Sequence, residues 1–246
     1  MKAEYIDHMG SDLSVVNAAR VSFDKVSKWD REYVSVTEYE EGDYSEWTVK
    51  DEFWDPYIGK ELIKLKPEDT KLIHYLAKHD HWTPFAHTSI SLRMQAPVPI
   101  RTQCFKHKQG LVENEESRRY ISSTPKLFVP DVLRNAPVNG AKQGSHGVHY
   151  DSELWLYKYR QYATQAISLY DDMIADGVCP EQARFVLPQG CEVNWIWTGN
   201  LYAFANFYNK RTDPHAQKEI RELAEMVGEI IAPLFPVSWE VLTKCQ

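Results

Sequence analysis

From Ser89 to Gln95 the side chains alternate strictly: Ile90, Leu92 and Met94 are apolar, while Ser89, Ser91, Arg93 and Gln95 are polar. A period of two puts one set on each face of a strand, so this run belongs to a half-buried sheet. A helix would scatter the same apolar groups around its circumference. Pro97 and Pro99 end the run. A second alternation sets Val193, Trp195 and Trp197 against Glu192, Asn194 and Ile196 and predicts a strand over 191–197. Residues 2–7 alternate more loosely and predict a third.

Elsewhere the period lengthens to that of a helix. Ser11 can cap a helix running from Asp12 to Arg20. Another is expected from Pro67 to about Lys78: proline suits the first turn, Glu68 and Asp69 complement the dipole, and Leu72, Ile73 and Leu76 form an apolar stripe. Ile100 to Lys106 reads as a short helix. A long helix from about Ser152 to Asp176 carries Tyr159, Ala163, Ala166, Tyr170 and Ile174, with Gly177 as its stop. Pro180 opens a further helix bearing Arg184. The last, about 214–232, places Ile220, Leu223, Ala224, Val227, Ile230 and Ile231 on one face. Residues 24–58 show no clear period and read as a peripheral insertion with room for one hairpin. Residues 121–150 read as a loop, domain boundary or lid, with Pro125, Pro130, Pro137 and a glycine-rich run from Gly140 to Gly147.

Chemistry gathers in residues 103–120, where Lys106, His107, Lys108, Arg118 and Arg119 stand in a chain whose formal net charge is −7. Gly110 lies between them and can adopt positive φ. These cations, the Ser117 hydroxyl and the nearby carboxylates suit a phosphate and a polar ring. A solvated charged loop has the same composition and is the commoner arrangement. The acidic balance argues against a general nucleic-acid binder but is compatible with a local pocket for a small anion. At 246 residues the chain is one large domain or two small ones. Its four cysteines form no C-x-x-C pair, which points to reduced thiols in a cytosolic setting. With no signal peptide and no long apolar run, neither secretion nor a membrane span is expected.

Several constellations remain open on residues alone. His74, His79, His81 and His87 suit turn or core positions, or contacts to an organic ligand, better than a metal, because neither an H-E-x-x-H spacing nor a cysteine pair accompanies them. Ser117 lacks the G-x-S-x-G elbow of a nucleophile. Arg211 and Asp213 could be a surface ion pair. With Asn206, Phe204, Phe207 and Tyr208, Arg211 could equally serve a flat, hydrogen-bonding ring. No Rossmann or P-loop fingerprint occurs.

Six stretches, in order, resemble the flavin-dependent thymidylate synthases along most of the chain. They are D-H-M-G-S-D-L-S-V-V-N-A-A-R-V-S (7–22), H-W-T-P-F-A-H (81–87), A-P-V-P-I-R-T-Q-C-F-K-H-K (96–108), N-E-E-S-R-R-Y (114–120), E-Q-A-R-F-V-L-P (181–188) and N-K-R-T-D-P-H-A-Q (209–217). The family's R-H-R followed by Ser reads here Lys106-His107-Lys108 and then Ser117. Ala86 replaces a glutamate, and Tyr202 stands where many members carry Arg. The resemblance implies an α+β fold: a small, mainly antiparallel sheet with flanking helices and a long helical portion, in a single domain over 1–246. It implies reductive methylation of dUMP to dTMP, with FAD as cofactor and NADPH and 5,10-methylenetetrahydrofolate as co-substrates. Gln103, Lys106, Glu115, Ser117, Arg118, Arg119, Arg184 and Arg211 would bind dUMP, Arg211 being the catalytic group at the ring. His81, Thr83, Lys106, His107, Lys108, Glu115, Asn200, Asn206 and His215 would line FAD. A cytoplasmic homotetramer with shared active sites is implied, without nucleic acid, membrane or metal. The alternative is a catalytically silent nucleotide- or RNA-binding protein that has kept the pocket, and its sequence support is the two lysines.

Overall fold

The computed structural model describes residues 1–34, 48–49, 60–138 and 144–244. Most of the expected insertion (35–47 and 50–58), Gly140 and Cys245 lie outside the described residues. Contacts divide the chain into two compact units, Met1–His8 with Ser89–Pro233, and Met9–Thr88 with Leu234–Gln246.

The first unit is built on a four-stranded sheet whose order is β1 (Lys2–Met9), β5 (Ser89–Pro97), β9 (Glu192–Gly199) and β6 (Leu111–Glu115). β9 runs antiparallel to both β5 and β6. Its register sets Trp197 opposite Leu92 and Trp195 opposite Met94, so the two alternating runs supply one buried face. On the other face the Ser91 and Thr198 hydroxyls meet at 2.8 Å. Helices α6 (Leu201–Arg211) and α7 (Lys218–Ile231) follow β9. Phe204 and Phe207 of α6 meet the Trp197 ring edge-on, centroids 5.3 and 4.8 Å away. Each such buried ring stabilises the fold by about 1.5–3 kcal/mol through burial, with edge-to-face pairing adding to it. α7 buries Ile220, Leu223, Ala224, Val227 and Ile231 as the spacing predicts. It starts at Lys218 rather than at 214, because the Asp213 carboxylate and carbonyl accept from the backbone N–H groups of His215 (2.7 Å) and Ala216 (2.9 Å), holding a turn around Pro214.

Helix α3 (Val98–Cys104) begins and ends two residues before the expected span, its first turn taking Pro99 where a missing N–H is no loss. Helix α4 (Ser152–Ala175) is as expected, with Gly177 at φ +89° beyond its end. The helix opened by Pro180 is only the single turn α5 (Pro180–Ala183), running directly into the 3-10 turn Arg184–Val186. Within the expected lid, β7 (Arg134–Asn135) pairs with β8 (His146–Val148). The start of that segment is tied to β9's approach: the Glu192 N–H donates to the Lys126 carbonyl at 2.8 Å and the Phe128 N–H to Gly190 at 2.9 Å. The Tyr159 hydroxyl of α4 donates to the Phe128 carbonyl at 2.8 Å. A Cβ on Gly190 would stand 1.8 Å from that hydroxyl oxygen.

The second unit holds α1 (Asp12–Arg20), α2 (Pro67–Lys78) and α8 (Pro236–Thr243), with a three-stranded antiparallel sheet ordered β2 (Asp30–Val34), β4 (Lys60–Lys64), β3 (Thr48–Val49). The expected insertion, read with room for one hairpin, thus contributes β2 and β3, and both pair with β4 beyond its end rather than with each other. β4 shows no alternation, because Glu61, Leu62 and Ile63 are buried in succession: Glu61 is 1% exposed and holds Arg31 at 2.6 Å. Asp69 is also more than a dipole partner. It is fully buried and accepts from Arg20 Nε at 2.9 Å and from the Ser27 hydroxyl. Among the described residues no helix is long and apolar enough to cross a membrane.

Asp12 joins α1 to α8. Both carboxylate oxygens accept backbone N–H groups in the first turn of α8, from Val237 and Ser238, each at 2.9 Å. An Asp12→Ala variant leaves those buried donors unpaired and should lose about 1–2 kcal/mol. Asp12→Asn keeps one acceptor and should lose less. Urea midpoints of the two variants against the parent protein test this ranking.

Candidate functional site

The basic turn after α3 is pressed against the first turn of α6. Gly110 sits at φ +74°, and a Cβ there would stand 2.7 Å from Asn200 Nδ2 and 3.0 Å from the Ala203 Cβ. Asn200 donates its N–H to the Gly110 carbonyl at 3.2 Å. Its side-chain oxygen accepts from Ala203 N at 2.9 Å and caps α6. This junction carries His107 onto the edge of Phe207, ring centroids 5.1 Å apart. Arg211, in the last turn of α6, donates from Nε to His107 Nε2 at 2.9 Å, and to the Gln103 carbonyl and side-chain oxygens at 3.2 and 3.4 Å.

Because His107 Nε2 accepts, its ring proton sits on Nδ1. Burial first, then the Arg211 and Lys210 cations, push its pKa down from 6.5 to about 4. The residue counted in the sequence among potential cations is thus neutral at pH 7. Burial pushes the Cys104 thiol up to about 12, so no thiolate forms beside Arg211. Lys106 and Lys108 are exposed, the latter paired with Glu113.

Two cavities collect most of the expected substrate residues. One, of about 430 Å³, is lined by Ser117, Arg118 and Arg184 together with Arg101 and Glu115. Arg118 lies over the Tyr170 ring at 5.9 Å and donates to the Ser123 carbonyl at 2.6 Å, while Arg184 Nε donates to the Glu181 carbonyl at 3.2 Å. Arg101 Nε is 3.0 Å from Glu115 Oε2, but its N–H is not aimed there, so the contact is one of charge. Burial raises the Glu115 pKa, Arg101 pulls it partly back, and Glu116 adds to the rise. A hydroxyl beside two guanidinium groups is a donor set for a phosphate. Arg119 stands outside this cavity, its Nε 2.6 Å from Glu181 and its guanidinium over Tyr120.

The other cavity, of about 450 Å³, is lined by Gln103, Arg211, His215, Gln217, Arg134 and Ser145. His215 is exposed and bonded to Asp213. Asn206 is half-buried on α6. His81 and Thr83 belong to the second unit, both exposed, with His81 and His79 packed around Tyr75 at centroid distances of 5.9 and 4.4 Å. Arg101, Arg134 and Gln217 were not singled out by sequence reasoning. Arg101 and Gln217 fall inside matched motifs, which was the available signal. Arg134 lies in a proline-rich segment that offered none.

The family model described as thymidylate synthase complementing protein matches residues 4–237. A flavin-dependent thymidylate synthase of Thermosipho africanus is 29% identical, the match covering 97% of this chain and 89% of that one. One from Thermus thermophilus is 30% identical, with coverage of 95% and 72%. Among solved structures, a UMP/dUMP methylase, PolB, from Streptomyces cacaoi bound with 5-Br dUMP superposes with a TM-score of 0.74 at 27% identity, covering 98% and 94% of the two chains. The same methylase bound with 5-Br UMP gives a TM-score of 0.75.

The depressed His107 pKa has a signed consequence. As pH falls below 6.5 the unfolded chain takes up this proton before the folded one does, so stability declines from pH 6.5 to about 4 and is unaffected by this group above 6.5. In a His107→Gln variant that share of the slope should vanish, measured by urea unfolding across the same interval. A parent and variant with superimposable profiles would contradict the assignment.

Proposed function

The chain belongs to the thymidylate synthase complementing protein family, and from that membership we propose that it is a flavin-dependent enzyme that reductively methylates dUMP to dTMP. In this reading 5,10-methylenetetrahydrofolate gives the carbon, NADPH is the reductant, and residues 1–246 act as a single cytoplasmic domain. The observation that carries it is the division of labour between the two cavities. One offers a hydroxyl and guanidinium groups for a phosphate; the other presents a guanidinium held from behind by three acceptors.

The nucleotide's phosphate would sit with Ser117, Arg118 and Arg184, and Lys106, Arg119 and Glu115 would border it. Arg211 would face the uracil and stabilise negative charge on the ring as it is activated. The neutral state of His107 matters here. A neutral imidazole accepts from Arg211 and orients it, whereas a protonated one would be a donor and repel it.

The residues present also fit FAD. Lys106 and Lys108 offer ammonium groups for a diphosphate, while the His107 Nδ1–H, the Asn206 amide and the free Asn200 Nδ2 offer donors for a ring edge. His215 and Glu115 belong to the proposed set, and His81 and Thr83 are named for it by the family resemblance alone. When bound, the flavin supplies hydride transfer, which no side chain here can provide.

Since Ser117 and Arg211 line different cavities of one unit, we read the complete site as shared between copies in a homotetramer. The family relation bound with 5-Br UMP makes UMP a second candidate substrate, to be assayed beside dUMP. A silent nucleotide- or RNA-binding protein would take up nucleotide or RNA without turnover.

Purified protein should take up FAD at micromolar concentration and turn over dUMP with folate and NADPH; failure to load flavin would end this reading. Arg211→Ala should lower kcat by about 10²–10³, the usual loss for a charge-stabilising donor. Arg211→Lys should stay badly impaired, since an ammonium lacks the planar fork. Arg119→Ala should mainly raise the dUMP KM. Normal kcat for Arg211→Ala at saturating dUMP would remove the ring role. Mixing Arg211→Ala chains with Ser117→Ala chains should partly restore activity, and no restoration in proven mixed tetramers would place both residues on one chain at each site.

A further inference from the structure

We propose that Glu219 is a positioning residue for Arg211, acting through a relay of two amides, Gln217 and Gln103, whose direction it sets. The consequence for turnover rests on the reading of Arg211 given above; the relay itself does not.

Glu219 lies in the first turn of α7, 8% exposed, with Arg134 NH2 at 2.8 Å from one oxygen and 2.9 Å from the other. Its Oε2 also accepts from Gln217 Nε2 at 2.9 Å. Gln217 Oε1 in turn accepts from Gln103 Nε2 at 2.8 Å. That leaves the Gln103 side-chain oxygen facing Arg211 NH1 at 3.4 Å, beside the Gln103 carbonyl that accepts from NH2 at 3.2 Å. The backbone of Gln217 is fixed by the N–H groups of Ile220 and Arg221, both 3.1 Å from its carbonyl.

An amide has nearly the same shape in its two flipped orientations but opposite hydrogen bonding. Two linked amides can therefore run in either direction with the bond between them intact, and the ends choose. At one end is a guanidinium, which only donates. At the other is a carboxylate, which when ionised only accepts. Burial opposes ionisation of Glu219, but its own N–H, Arg134 and Gln217 outweigh burial and hold its pKa below the usual value. Both ends thus demand one direction. Flipping it would turn the Gln103 amino group onto Arg211, donor against donor, and loosen the seat of the guanidinium beside His107. Of the five N–H bonds of a guanidinium, three go to His107 and Gln103, and the remaining two are left for a ligand in the cavity.

A purely structural Glu219 would only staple Arg134. Gln217→Met separates the two roles, because it cuts the relay and leaves the Arg134 pair intact. Glu219→Gln removes the acceptor-only end. The readout is the titration of the His107 imidazole in the full chain, followed by NMR on ring-labelled histidine and assigned with a His107→Gln variant. Steady-state kcat and the dUMP KM are measured alongside, and thermal melts verify folding. In both variants the His107 pKa should rise from about 4 part of the way toward 6.5 as the Arg211 contact loosens. Turnover should fall about tenfold with KM little changed, the equivalent of one lost hydrogen bond. Gln217 is exposed, so its variant decides the matter if Glu219→Gln does not fold. A His107 titration unchanged in folded Gln217→Met overturns the relay whatever the activity does. A shifted titration with normal turnover, in these variants and in Arg211→Ala alike, upholds the relay and instead removes Arg211 from the ring.

Discussion

At Gly110 the chain passes so close to the start of α6 that no side chain fits between them, and the placement of the basic turn follows from this contact. A Cβ on Gly199 would likewise lie 2.6 Å from the Gly110 carbonyl oxygen. Two glycines and the capping Asn200 therefore form a junction where β6, β9 and α6 converge. The rest of α6 is fixed by Phe204 and Phe207 against Trp197. His107 and Arg211, 104 residues apart in sequence, meet because each is anchored to the same sheet by a rigid route. Neither depends on the other's charge to arrive there.

That arrangement explains how a cluster of basic residues in one small volume avoids self-repulsion. His107 gives up its proton in response to burial and its cationic neighbours, and becomes an acceptor. Lys108 turns to Glu113, Arg119 to Glu181 and Arg101 to Glu115, while Lys106 stays in water. Of these, Arg119–Glu181 is an exposed pair of the kind that contributes little to stability, about 0–1 kcal/mol. Arg118, Arg184 and Arg211 line the two cavities without a carboxylate partner of their own among the described residues, beside Arg101 and Arg134, which have one.

Where the sequence period matched the burial pattern, the fold was legible. Ile90, Leu92 and Met94 and the tryptophans of β9 declared their strands, and the limits of α1 and α2 could be read from caps and proline. The period failed where successive strand residues are all buried, as at Glu61, Leu62 and Ile63, and where a turn stored its own hydrogen bonds, as at Asp213 before α7. For the site, residue type and motif order pointed to Ser117, Arg118, Arg184 and Arg211. They could not reveal that Asn200 spends its oxygen as a helix cap, nor that His107 is neutral, since both depend on partners far away in sequence. Gln217 and Glu219 were invisible as a pair because an amide's role is set by the direction of its neighbours, which no local pattern encodes.

Among the glycines whose surroundings are described, the closest approach is at Gly190 under the Tyr159 hydroxyl. That hydroxyl fastens the segment at Phe128, so a methyl group at position 190 would push the ring aside and undo the fastening. The two positions are consequently coupled through mutation. A replacement at 190 displaces the Tyr159 hydroxyl or needs a shorter residue at 159, and either change sacrifices the bond to Phe128. Sequence drift that leaves this protein only about 30% identical to its relatives can proceed one step at a time over most of the surface. At this pair the single steps lead downhill in stability from either side, so a change at one position is felt at the other.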